Sequence, residues 1–463
     1  MDFLIILLAL GLLIYMAYKG HSVILFAPVA ALLAVLLTEP RLVAPVYIGL
    51  FMDKMVQFIR LYFPVFMLGA VFGKVIELSG FSTSIVSSVI ALVGRGRAML
   101  SIVLVCAILT YGGVSLFVVV FAVYPFAAEL FRQLEIPKRL IPGTIALGAF
   151  SFTMDSLPGT PQIQNIIPTT FFHTNTWAAP WLGVIGSVFI LVTGLLYLES
   201  RRRSALAQGE GYGQHALNEP EKMVAGKLPN PWIAVLPLVL VAVLNKVFTM
   251  VIPSVYGASY AIDLPGLKHP VTGEVSAVVA IWAVEAALLV GIVTVLLLAF
   301  KPVVSRFADG SKAAVSGSLL AAMNTASEYG FGAVIAALPG FVSVTTALRA
   351  IPNPLVNEAI TVTTLAGITG SASGGMSIAL AAMADTFIQN AQAAGIPMEV
   401  LHRVASMASG GMDTLPHNGA VITLLAVTGL THRESYRDIF AVTCLKTLAV
   451  FVVIAVYLLT GIY

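Results

Sequence analysis

Apolar runs of about 20 residues alternate along the chain with short polar joints, and no run shows a period-2 alternation. Runs of that length cross a hydrocarbon core of roughly 30 Å as helices, whereas barrel strands would alternate polar and apolar positions. The pattern predicts spans over about 2–18, 22–38, 61–79, 139–172 and 178–198, then 232–252, 276–300, 327–347, 398–430 and 441–462. The runs 139–172 and 398–430 exceed one span and are broken by glycine, proline and a carboxylate. Between the third and fourth span of each half lies another apolar stretch, 98–132 and 354–392, with Gly-Gly near its middle. This fits a re-entrant helical hairpin whose tip stays inside the membrane, with two ordinary short spans as the alternative. Amphipathic segments near 43–60, 81–95 and 311–326 read as interfacial helices.

The breaks repeat. Met154-Asp155-Ser156-Leu157-Pro158 is answered by Met412-Asp413-Thr414-Leu415-Pro416, and Gly112-Gly113-Val114-Ser115-Leu116 by Gly374-Gly375-Met376-Ser377-Ile378. Gly80-Phe81 and Ile136-Pro137 recur as Gly340-Phe341 and Ile396-Pro397, so four echoes keep one order at offsets of 258–262. Residues 1–200 then form a first repeat, 201–231 a linker and 232–463 a second repeat. Five spans in each half invert the second repeat relative to the first. The expected fold is an all-α polytopic membrane protein, each repeat holding about five spans, one re-entrant hairpin and a broken helix.

Composition agrees. The chain is 59% hydrophobic and 10% charged with a mean hydropathy of +0.96, whereas soluble domains carry roughly 25% charged residues. The linker holds Arg201, Arg202 and Arg203, and the excess of basic residues predicts that it is cytoplasmic. No basic block with interleaved aromatics points to nucleic acid. Cys106 and Cys444 lie in apolar runs and read as small hydrophobes, not as a metal site or disulfide framework. The run beginning at Phe3 has no basic residue before it and no cleavage site, so it reads as a retained first helix and not a signal peptide. No metalloprotease motif, nucleophile elbow or Cys-His pairing marks an enzyme, and no cofactor is called for.

Paired interruptions at matching places in two halves point to a carrier's binding site. Pro158, Gly159 and Pro161 disfavour a continuous helix, as do Pro416 and Gly419. Half-helices resuming near Pro161 and Gly419, and the hairpin tips Thr110–Ser115 and Thr369–Ser377, would turn positive N-terminal ends toward one another. Such ends hold an anion without needing arginine, and Arg403 alone falls inside a run. The candidate substrate groups are Thr110, Gly112, Gly113, Ser115, Ser156, Gly159 and Thr160 from the first half. Ser371, Ser373, Gly374, Ser377, Thr414 and Asn418 are their counterparts in the second. These hydroxyls could equally satisfy helix carbonyls. Asp155 and Asp413 are carboxylates at membrane depth, readable as proton carriers, sodium ligands or N-caps of the following half-helices. Glu328 could relay protons or sit at the membrane interface, and His417 titrates near neutrality unless perturbed.

At Tyr111-Gly112-Gly113, the following Val114–Pro125 and Leu157-Pro158-Gly159-Thr160-Pro161, the chain resembles the gluconate permease family of the ion transporter superfamily. The likeness implies proton-coupled uptake of a small hydroxycarboxylate by inverted repeats moving against a dimerised scaffold in the bacterial inner membrane. The gluconate carriers of that family have Tyr-Glu in the first hairpin and histidines in the first break, where this chain has Tyr111-Gly112, Met154-Asp155 and Gly159-Thr160. A smaller, less hydroxylated acid of the 3-hydroxybutyrate type suits that less polar site. A sodium-coupled citrate- or dicarboxylate-like carrier of the same fold is the alternative, and a passive channel a further one.

Overall fold

In a bilayer each backbone N–H and C=O must be satisfied within its own segment, so the apolar runs close into helices. The computed structural model describes residues 2–19, 21–114, 116–215, 217–220, 228–267, 269–341, 351–416 and 418–463. The first half runs α1 (Asp2–Tyr18), α2 (Val23–Thr38), α3 (Asp53–Leu78), α4 (Phe81–Val93), α5 (Ala98–Tyr111) and α6 (Leu116–Gln133). It closes with α7 (Ile141–Ala149), the single turn α8 (Phe152–Asp155), α9 (Ile163–Phe172) and α10 (Pro180–Ala207).

After the linker come α11 (Pro231–Tyr256), α12 (Val279–Leu298), α13 (Phe300–Ala337), α14 (Pro354–Thr369) and α15 (Ala372–Ala393). Then follow α16 (Met398–Gly410), a 3-10 turn at Gly411–Thr414, α17 (Gly419–Thr428) and α18 (His432–Thr460). Both halves thus contain a two-armed helical hairpin, an interrupted helix and a long last helix, in that order. Among the described residues, five helical stretches can cross a membrane by length and composition: Pro40–Leu78, Pro180–Ala207, Pro231–Tyr256, Val279–Leu298 and His432–Thr460.

Two expectations are corrected. The segment 43–60 is no separate interfacial helix, because helical structure runs from Pro40 through a π turn at Tyr47–Met52 into α3. Likewise 311–326 and the start of the expected span 327–347 form one 38-residue helix, α13. Polarity changes along it, but no proline interrupts residues 303–338, so the backbone has no reason to stop. Residues 342–350 lie outside the described residues. The fold is all-α apart from one short hairpin, in which β1 (Ser259–Ile262) pairs antiparallel with β2 (Val271–Glu274) in the polar joint before α12.

Packing is closest where glycines remove side chains. Gly148 on α7 lets the helix lie against Val103 on α5, whose Cα would stand 3.0 Å from an added Cβ. Gly375 does the same between the arms of the second hairpin, against Leu365 and Ala366. The halves interleave, since α9 packs on α15 and α17 on α6. Each resumed half-helix therefore lies on the hairpin of the other half.

The described part of the linker fastens this assembly at one end. Glu210 accepts two 2.7 Å bonds from Arg139, before α7, and Arg139 reaches Asp438 of α18 at 3.4 Å. Glu219 pairs with Arg132 of α6 and Lys138, each at 2.6 Å. Asn218 donates to the Ala426 carbonyl of α17 at 2.7 Å, and its own carbonyl accepts from Tyr124 of α6 at 2.8 Å. Hydrogen bonds from Arg139 hold Glu210 below the usual carboxylate range. Burial raises Glu219, but bonds from Lys138 and Arg132 outweigh it and bring it below that range.

Two predictions arise here. A depressed carboxylate contributes stability above its ordinary value, and loses that contribution as pH falls below it. Corrected for the intrinsic pH dependence of amide exchange, hydrogen exchange of residues 208–220 should hold steady from neutral pH down to 4.5, the ordinary value, and accelerate below it. Glu219→Gln should show the fast exchange already at neutral pH. Second, Gly375→Val overpacks the hairpin and should cost about 1–3 kcal/mol in unfolding measurements, whereas Gly11→Ala, with open space around it, should be neutral.

Candidate functional site

The first break follows from its prolines. Pro158 and Pro161 donate no backbone hydrogen bond, so α8 ends at Asp155 and helix resumes only at Ile163. Gly159 takes a left-handed φ of 80°, and its carbonyl accepts from Asn245 of α11 at 3.0 Å. In the second break Asn418 caps α17 by accepting from the Ala420 N–H at 2.7 Å. Neither aspartate is that cap.

Asp155 is 1% exposed and forms an ion pair with Lys446 of α18, Nζ to Oδ2 3.1 Å. Ser156 Oγ donates to its other oxygen at 2.6 Å. Lys446 is itself 1% exposed and donates to the carbonyls of Phe150, at 2.6 Å, and of Gly410. Those carbonyls stand at the C-terminal ends of α7 and α16, where helices leave acceptors unpaired. Gly410 must be glycine, since a Cβ there would overlap Asp155 Oδ2.

Arg403 of α16 is fully buried and grips the first break from the second half. It donates to the Asp155 carbonyl at 3.0 Å, to Asn165 Oδ1 at 3.1 Å and to the Ala178 carbonyl at 2.8 Å. Ser406 adds a 2.8 Å bond to the Asp155 carbonyl, and His402 bridges Asn165 and Thr174. The site is therefore not free of buried cations. What Arg403 holds, however, is peptide carbonyl and amide oxygen, with no carboxylate within ion-pair distance among the described residues.

Asp413 has a different environment. One oxygen accepts from the Ala372 N–H at the start of α15, at 3.0 Å, and from Asn418 at 3.3 Å. The other accepts from Gln164, in the first turn of α9, at 2.8 Å. One helix N-terminus and two side-chain amides, drawn from both halves, thus meet on one buried carboxylate, all of them neutral donors. Asn418 also donates to the Gly370 carbonyl at the tip of the second hairpin, at 2.8 Å.

The hairpin tips are tied to the breaks. Tyr111 donates to the Pro158 carbonyl at 2.9 Å, and Gln162 to the Thr110 carbonyl at 2.7 Å. Among the described residues Thr110 Oγ1 has no hydrogen-bond partner though buried, and neither has Gln164 Oε1. Gly113 turns the first tip with a φ of 91°, and Gly112 abuts Leu238 of α11. In the second tip Ser371 accepts from the Gly374 N–H at 3.1 Å and lies 3.4 Å from Ser373. Glu328 is 3% exposed, inside α13 and pressed on Gly374 where no side chain intervenes, and so lies within the protein and not at its rim.

The remaining hydroxyls are committed locally. Thr160 donates to the Thr153 carbonyl, Ser377 to the Ser373 carbonyl, and Thr414 pairs with Thr443. Ser373 lies 3.3 Å from Thr325 and 3.4 Å from Ser371. Ser115 and His417 lie outside the described residues. Reading the chain missed Lys446, whose signal was a lysine inside the run 441–462, and Glu358 of α14, buried with both oxygens unpartnered. Among the described residues no group of three His, Cys, Asp or Glu could hold a metal.

No protein-family model matches the chain. It is 58% identical over 471 residues to a Bacillus subtilis (strain 168) protein described as the uncharacterized transporter YxjC, covering all of both chains. Its fold is similar to the crystal structure of the Alcanivorax borkumensis YdaH transporter, with a TM-score of 0.51 and 15% identity. That likeness covers 89% of this chain and 88% of the other.

Removing one partner of a buried ion pair strands the other charge. Lys446→Met should cost roughly 3–5 kcal/mol in thermal or denaturant unfolding. Asp155→Asn combined with Lys446→Met should recover more than half of that loss, and strictly additive losses would show that the pair is not the coupling.

Proposed function

Since the chain belongs to the transporter family that includes YxjC of Bacillus subtilis, we propose that it is a secondary active carrier of a small organic carboxylate, moved with protons by alternating access. One observation carries this reading: the first backbone N–H of α15 and the Gln164 side-chain amide in the first turn of α9, from opposite halves, already hold a carboxylate between them, that of Asp413. Helix N-termini attract anions through unpaired N–H groups and the macrodipole. A substrate anion meets the same donors when the hairpin tips part from the breaks. Thr110 and Gln164, buried with unspent polar atoms, and the Ser371–Ser373 tip supply its hydrogen bonds.

In this reading residues 1–200 and 232–463 are inverted repeats, each with a re-entrant hairpin, joined by a cytoplasmic linker. The protein is a multi-pass homodimer of the bacterial inner membrane. The substrate is a hydroxy acid of the 3-hydroxybutyrate or gluconate type, in keeping with the resemblance to gluconate permeases. Asp413 and Glu328, both facing the second hairpin tip, are the proton-accepting groups, while Asp155 is neutralised by Lys446. The sodium-coupled alternative would require a cation beside these carboxylates.

Uptake of labelled 3-hydroxybutyrate and gluconate into proteoliposomes tests the reading. Accumulation should follow an acid-outside gradient and be unchanged when choline replaces sodium. Asp413→Asn should reduce accumulation at least tenfold while sparing exchange across equal concentrations. The amide analogue of the substrate should compete poorly. Accumulation only with a sodium gradient would transfer the coupling to sodium, and transport that never exceeds equilibration would make the protein a passive facilitator.

A further inference from the structure

Lys446 is placed as an ion would be. Its ammonium meets three oxygens: the Asp155 carboxylate at 3.1 Å, the Phe150 carbonyl at 2.6 Å and the Gly410 carbonyl. Both carbonyls belong to the C-terminal ends of the first segments of the two interrupted helices. Residues 150 and 410 are 260 apart, the offset that separates Ile136-Pro137 from Ile396-Pro397. Matching positions of the two halves therefore aim their carbonyls at one point. The negative ends of half-helices and unwound carbonyls are what carriers use to coordinate a coupling cation, and hard cations take oxygen ligands. By the same offset the first-half counterpart of Lys446 is Gly186, so only one cationic side chain is directed into the pair of breaks from the last helices. Asp413 lies within electrostatic reach of Lys446, and Arg403 within reach of Asp155, but neither forms an ion pair there.

We propose that Phe150, Gly410 and Asp155 form a seat for one alkali-metal cation, and that the Lys446 ammonium fills it permanently. The inference rests on the reading of the chain as an ion-coupled carrier, and it specifies that sodium is excluded because the chain supplies the cation itself. An ammonium there cancels the Asp155 charge and the two helix-end dipoles without leaving the protein. Truncating Lys446 leaves three oxygens, one of them from a carboxylate, and a space for an ion or water.

The test reads cation binding without any substrate, so it stands apart from the uptake experiment. Purified full-length wild type and Lys446→Ala are melted in sodium, potassium or choline chloride at constant ionic strength. Wild type should melt identically in the three salts. Lys446→Ala should be stabilised by sodium or potassium over choline by several degrees, saturating with concentration as specific binding to the folded state requires. Lys446→Ser, which leaves a short polar stub beside the vacated space, is the second variant and should respond in the same direction. Asp155→Asn with Lys446→Ala removes the seat's charge and should lose the response. Variants that respond no more than wild type, or a wild type stabilised by sodium or potassium over choline, would overturn the proposal. If neither single variant folds in any salt, the seat is not open to ions and the proposal also falls. Failure of every carboxylate to drive uptake would leave these melting results standing and would count against the carrier reading alone.

Discussion

A carboxylate buried among helices has to be matched, and the Asp155–Lys446 pair is the match on which the centre of this structure depends. An isolated ion in a low-dielectric interior costs many kcal/mol, so the breaks can carry Asp155 only because α18 brings an ammonium to it. The ammonium in turn needs acceptors, and the ends of α7 and α16 provide them. One side chain thereby ties both interrupted helices to the last helix. Gly410 and the close packing it allows are consequences of that arrangement.

From the hairpin onward the two halves have the same order of elements but not the same chemistry. Asp155 is charge-paired, whereas its counterpart Asp413 is held by a backbone N–H, Gln164 and Asn418. The first serves as a fixed joint between breaks and last helix. The second meets the hairpin tip and the opposing half-helix, which are the parts that must separate if an anion is to enter. Glu328 lies against the same tip, so two carboxylates face one potential opening. The breaks bound this region on the other side, where Arg403 and His402 fasten the first break to α16.

Much of this was legible in the chain because proline and glycine act locally. Pro158, Pro161 and Pro416 interrupt helix where glycine stands close by, whereas the single prolines Pro64, Pro125 and Pro168 lie inside helices. The repeated phrases placed both interruptions and the first hairpin turn, while the second turn falls at Gly370-Ser371, just before Gly374-Gly375. Polarity was a poorer guide to helix ends: 311–326 is more polar than a span, yet α13 runs through it unbroken. The partners of the aspartates were not legible. Lys446 follows Asp155 by 291 positions and carries no motif, and only packing brings it near. Similarly, the amide of Ala372 becomes a ligand of Asp413 because of where the hairpin lies, not because of its residue type. The substrate hydroxyls show the same limit, since Thr160 and Ser377 turn out to bond their own helices' carbonyls or nearby turns.

The coupling of proton to anion can be measured directly by titrating the purified protein with 3-hydroxybutyrate calorimetrically, in two sodium-free buffers of different ionisation enthalpy. The difference in heat gives the protons taken up for each anion bound. A proton-coupled carboxylate carrier should bind the acid without sodium and take up close to one proton with it. Binding that requires sodium, or that proceeds with no proton uptake in either buffer, would contradict it.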